Sequence, residues 1–286
     1  MFPRALLAVT LAVLLGSAHG AETVYYPQPE SKADKRSEYP IKLLELVLQK
    51  SGGQYQPGPS PLPMQQGRAF QEIVTNSRWL DIMWTMTSSA REQQALPIRI
   101  PIDKGLVGWR LLLVPHEHRD LFLHARSVHD LEKLTAGLGH DWPDVDIMRA
   151  AGLPISTSAN YELLFRMLAD NQVQYFPRSA SEIWDELDTH RQYDLVVANH
   201  IALHYPAPLY YFVSKNNAKL ADAVRIGLEK ALTDGSFERL FHQYFDDQLK
   251  RADLEHRTIL ELANPLLSKE TPLERKELWF RIQARN

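Results

Sequence analysis

Between Glu22 and Phe245, short apolar runs alternate with amphipathic stretches, and this alternation constrains the fold more than any other feature of the chain. Glu22–Tyr26 (ETVYY), Leu80–Thr85 (LDIMWT), Leu106–Pro115 (LVGWRLLLVP), Tyr193–Ala198 (YDLVVA) and Leu209–Ser214 (LYYFVS) read as strands. Leu153–Thr157 and Val173–Phe176 are shorter runs of the same kind. Residues 39–50, 69–75, 142–151, 161–170, 182–190, 218–232 and 237–245 place apolar residues three and four apart and read as helices, with a shorter one at 129–134. Gly52-Gly53, Gly152 and Asp234-Gly235 stop three of them. Residues 54–63 are Pro-rich and extended. Strands alternating with helices predict βα units and mostly parallel sheets.

Composition narrows the function. The chain has 286 residues, 44% of them hydrophobic, and no cysteine. That length accommodates one large domain or two lobes of roughly 100–150 residues each. The absence of cysteine removes disulfides, thiol catalysis, cysteine zinc sites and cysteine-borne lipid. A net charge of -3 with mixed signs offers no basic field for nucleic acid. No GxSxG, Walker A or GxGxxG pattern occurs. His116-Glu117-His118 with His124 lacks the HExxH spacing and reads as a solvated turn, so neither a metal nor a cofactor is expected.

Residues 1–20 (MFPRALLAVTLAVLLGSAHG) have a short positive start, an apolar run and small residues at 18 and 20. This is the pattern of a secretory signal peptide cleaved before Ala21, with an apolar run too short to span a bilayer. The expected location is the periplasm.

Three stretches resemble the type II periplasmic solute-binding proteins of family 3, the amino-acid-type substrate-binding proteins of ABC transporters. They are residues 82–114, residues 161–176 and, most specifically, residues 211–245, where LxxAVxxGLxxxLxDGSFxxLFxxYF stands. The resemblance implies an α/β fold of two lobes joined by crossing strands around a ligand cleft. It places 21–114 in lobe 1, 115–208 in lobe 2, and 209–286 in a return segment to lobe 1 and a C-terminal tail. It implies a binding protein without catalytic residues, acting as a monomer. A small-molecule ligand, polar and anionic or amino-acid-like, would be passed to an inner-membrane ABC permease. A sensor module signalling to a membrane receptor is the alternative. A lyase carrying such a domain would need roughly 100 further residues.

The resemblance also implies the site. Thr85, Ser88 and Arg91 correspond to a carboxylate clamp, because a guanidinium matches a carboxylate with paired donors. Ser88 and Arg91 have the family's spacing of a hydroxyl, two residues and an arginine. His140 begins a turn whose Asp141 reads as an N-cap with Pro143 near the first helical position. Arg178 and Ser179 follow a strand, and Ser179 stands where amino-acid binders place an acid for the ligand ammonium. Two arginines facing one cleft would repel, which points to an anion between them. Tyr26 and Trp84 are candidates to stack on the ligand.

Overall fold

The computed structural model describes residues 21–29 and 35–282; the signal-peptide reading lies outside these residues. No described helix is long and apolar enough to cross a membrane.

The chain starts in lobe 1. β1 (Glu22–Gln28) is followed by α1 (Glu38–Lys50), β2 (Tyr55–Pro63), α2 (Gln66–Val74), β3 (Ile82–Met86), α3 (Ser89–Gln94) and β4 (Leu96–Ile98). β2 pairs with β1 in parallel. It is a strand although Pro57, Pro59, Pro61 and Pro63 lie within it. Proline at every second position turns all the missing donors to one side, away from β1, which an edge strand tolerates.

Lobe 2 contains β5 (Trp109–Pro115), β6 (Ala136–Gly139), α4 (Asp144–Ala150), β7 (Ile155–Ser158), α5 (Tyr161–Ala169), β8 (Phe176–Ser179), α6 (Ile183–Thr189), β9 (Leu195–Val197) and β10 (Ile201–His204). The chain then returns through β11 (Leu209–Val213), α7 (Ala218–Thr233) and α8 (Ser236–Ala252), and ends with β12 (Thr258–Glu261) and a long irregular tail.

Two corrections to the sequence reading follow. The sheets are mixed rather than mostly parallel. β11 runs antiparallel between β3 and β4, and β5 runs antiparallel to β8, β9 and β10. Each of these strands arrives from the other lobe and so enters its sheet against the direction of the local βα units. The second correction concerns the boundary. The reading carried lobe 1 through Val114, but β5 pairs only with lobe 2 strands. The first crossing therefore precedes Trp109.

The tail also departs from a simple extension of lobe 1. β12 lies parallel to β10 and widens the lobe 2 sheet. In lobe 1, α1 buries Leu43, Leu44, Val47 and Leu48 against α7. Gly227 makes this approach possible, because a Cβ there would collide with the Val47 carbonyl oxygen.

Candidate functional site

A cavity of about 170 Å³ lies between the lobes. Gln66, Trp84 and Met86 line it from lobe 1, and Arg110, Trp142, Asp144, Arg178 and Glu182 from lobe 2. Val107 lines it from the crossing segment and Arg36 from the approach to α1. At ~30 Å³ per liquid water, this is room for about six waters.

The lobe 2 wall is built on two buried ion-pair networks. Arg178 is the penultimate residue of β8, is buried, and donates from Nε to Glu186 Oε2 (2.7 Å) and from Nη2 to Glu186 Oε1 (2.5 Å). Its Nη2 also reaches Glu182 Oε2 at 2.8 Å, and Tyr161 donates its hydroxyl to Glu186 Oε1 at 2.6 Å. Burial works to lower the Arg178 pKa, but Glu186 and Glu182 outweigh it and hold the guanidinium well above its usual value. Burial likewise works to raise Glu186, and Arg178 outweighs it, leaving this carboxyl below its usual range. The guanidinium also lies over the Trp142 ring, 4.7 Å from its centroid.

In the second network Arg110 of β5 pairs through Nη2 with Asp144 Oδ1. Its Nε donates to the Tyr205 hydroxyl at 2.9 Å, and that hydroxyl donates to the same Asp144 oxygen. Burial raises the Tyr205 pKa well above its usual value, so the phenol stays protonated. Among the described residues, Nη1 of both arginines, Oδ2 of Asp144 and Oε1 of Glu182 have no hydrogen-bond partner.

The residues expected from sequence are distributed as follows. Trp84 and Arg178 line the cavity. Tyr26 does not; it packs against Trp84 with ring centroids 6.2 Å apart, while its neighbours Pro27 and Gln28 reach the cavity. Arg91 lies behind the cavity wall. Its Nη1 donates to Thr85 Oγ1 (2.6 Å) and to the Met86 carbonyl (2.8 Å). Its Nη2 donates to Gln66 Oε1 and, across the cleft, to the Asp141 carbonyl, both at 3.3 Å. Burial lowers the Arg91 pKa, partly offset by Asp141 and Asp144.

The Ser88–Arg91 spacing has a local cause: Ser88 Oγ accepts the Arg91 backbone N–H at 3.2 Å and caps α3. Ser179 is fully buried, donating to the Leu106 carbonyl at 3.1 Å. His140 is exposed at the surface. Asp141 is not the cap of α4; Pro143 flanks the helix and Asp144 opens it. The residues 116–118 form an exposed 3-10 turn.

Sequence reasoning missed Arg110, Asp144, Glu182 and Glu186. A signal existed for the first, since a lone arginine inside the apolar run WRLLLVP must find a buried partner. Glu182 and Glu186 stand four and eight residues after Arg178, but only the turn after β8 brings both back to it.

Comparison with known proteins is consistent with this architecture. No family model matches the chain, and no curated protein does. Solved structures do. An ancestral arginine-binding protein bound to arginine is 15% identical, covers 79% of this chain and 98% of its own, and superposes with a TM-score of 0.59. A histidine kinase sensor domain with similarity to periplasmic binding proteins is 15% identical, covering 79% and 96%, with a TM-score of 0.58. An ancestral amino-acid-binding protein, a precursor of cyclohexadienyl dehydratase, is 14% identical, covering 79% and 95%, with a TM-score of 0.55. The chain has the two-lobed α/β fold of type II periplasmic binding proteins.

Proposed function

We propose that this chain is a periplasmic solute-binding protein that holds a small polar, amino-acid-like ligand between its lobes and presents it to an inner-membrane ABC permease. The observation that carries this reading is the interlobe cavity, walled from both lobes and small enough for a single solute. Its charged groups support binding rather than catalysis. Asp144, Glu182 and Glu186 are all tied to arginines, an arrangement that holds charge in place and does not move protons.

The pairing changes the expected ligand. Arg91, expected to face Arg178 across the cleft, lies behind the wall, and Arg178, like Arg110, is paired with acids, so no anion is needed between opposed arginines. What Arg110, Arg178 and their acids leave over is two guanidinium NH2 groups and two carboxylate oxygens. A ligand with both an acceptor and a cationic donor, such as a zwitterion, matches that set. The likeness to a kinase sensor domain keeps a second reading open, in which the closed lobes signal to a membrane receptor.

The test is a thermal-shift screen against amino acids, dicarboxylates and dipeptides, followed by calorimetry on the best ligand, since binding to the folded state raises the melting temperature. Glu182→Gln and Trp84→Ala are each expected to weaken binding by at least tenfold, the ~1.4 kcal/mol of one lost polar or stacking contact. A ligand that ignores both substitutions binds elsewhere and overturns the reading.

A further inference from the structure

Two chain crossings join the lobes, residues 99–108 and 205–208, and the tail adds a third. On lobe 2 it is anchored by β12 and by the Leu262 N–H, which donates to the His204 carbonyl at 2.8 Å. Asn264 Nδ2 then donates to the Pro206 carbonyl of the second crossing at 2.8 Å. Two residues later the tail is on lobe 1, where the Leu266 carbonyl accepts both the N–H (2.7 Å) and the hydroxyl (3.0 Å) of Ser89. Arg99 pairs with Glu270, and Arg275 pairs with Glu229 of α7 through Nη1 at 2.7 Å.

The tail next returns to the first crossing from the opposite side. The Phe280 N–H donates to the Lys104 carbonyl at 2.7 Å. The Trp279 ring covers Gly105 so closely that a Cβ there would be 2.7 Å from it. Phe280 also meets Trp109 of β5 edge-on, with centroids 5.9 Å apart. Lys104 and Gly105 both have positive φ, 54° and 73°. They form the turn where the first crossing changes direction, and a hinge rotation must alter such dihedrals.

We infer that residues 262–282 are a strap that clamps the hinge and holds the lobes near their closed angle before any ligand arrives. Two physical effects combine. From Leu262 to Leu266 the chain has four steps, so the two anchors can separate by at most about 14 Å. At the other edge, Trp279 and Phe280 pin the backbone turn that would have to move. Arg91 adds a direct contact across the cleft, to the Asp141 carbonyl, that needs no ligand. The inference stands whatever the cleft binds.

The chain has no cysteine, so two spin labels can be placed at unique sites on opposite lobes, Lys133→Cys and Lys219→Cys, both exposed. The full chain is unfolded and refolded to strip any solute, and the interlabel distance is measured by pulsed electron resonance. The expected result is one narrow distance. A second chain carries Gly-Ser-Gly-Ser inserted between the exposed Ala263 and the half-buried Asn264, which keeps every anchor but lengthens the leash by up to about 14 Å. A third carries Trp279→Ala. Both are expected to give broader distributions reaching longer distances, with cooperative melting retained. A broad distribution in the parent, or identical narrow ones in all three, overturns the strap.

Discussion

Replacing Arg178 with methionine tests whether this residue builds the cleft wall or grips the ligand. Arg178 is 2% exposed and Glu186 5% exposed. The substitution keeps much of the apolar stem but removes three charge-assisted hydrogen bonds to Glu186 and Glu182. Glu186 is then left buried with only the Tyr161 hydroxyl. Breaking one side of a buried ion pair costs about 3–5 kcal/mol, chiefly through the stranded charge. At roughly 2–4 °C per kcal/mol for a chain of this size, melting should fall by about 6–20 °C.

The pH dependence has a definite sign. In the unaltered chain Glu186 has a lowered pKa, so its stabilisation is present above the ordinary carboxyl value of 4.5 and is lost as pH falls through the folded value. In Arg178→Met the main opposing cation is gone, and burial raises the carboxyl against only the Tyr161 hydroxyl and the charge of Arg36. The folded variant then gains from protonation, so the stability gap should narrow from pH 7 to pH 4. Adding Glu186→Gln removes the stranded charge and should recover part of the loss. Thermal and urea melts of the two single variants and the double across this pH range provide the assay. A loss below about 1 kcal/mol with no pH dependence, alongside abolished binding, would refute the reasoning and make Arg178 a ligand contact.

Other expectations follow from the hinge. Burial pushes the Asp103 carboxyl up to about 7, against backbone N–H bonds from Val107 and Gly105. The folded chain thus keeps a proton that the unfolded chain releases, and this contribution is complete below about 3.8 and lost as pH rises to about 7. Asp103→Asn should flatten the corresponding part of the stability–pH curve, and an unchanged slope between pH 4 and 7 would count against it. At Gly108 an added Cβ would collide with the Tyr205 carbonyl, where the two crossings touch. Gly108→Ala should cost roughly 1–3 kcal/mol by overpacking. Its spin-label distance should also shift, and a stable variant with the parent's distance would show that the crossings slide freely.

The element order was legible in the sequence because helix and strand periodicity are local properties. α1, α5, α7 and the strand β11 fall where the patterns of 39–50, 161–170, 218–232 and 209–214 put them. Trp84, expected near a strand end, lines the cleft from the middle of β3. Pairings were not legible. The Ser88–Arg91 spacing serves a helix cap equally well, and one sequence cannot tell a hydroxyl facing a ligand from one facing a backbone N–H. Arg178 looked unopposed because its partners, Glu182 at the cap of α6 and Glu186 within it, are folded back only by the turn at residues 180–182. β5 looked like the end of lobe 1 because its apolar run says that it is buried, not in which sheet. The tail past Asp253 carries no strong periodicity, and its role as a third crossing arises from contacts with Ser89, Lys104 and Pro206, far away in sequence. Local periodicity determined which segments became helices and strands. Which charges neutralise each other, and what holds the lobes together, depends on groups brought within 3 Å only by the completed fold, and that proximity leaves no mark in the chain's own order.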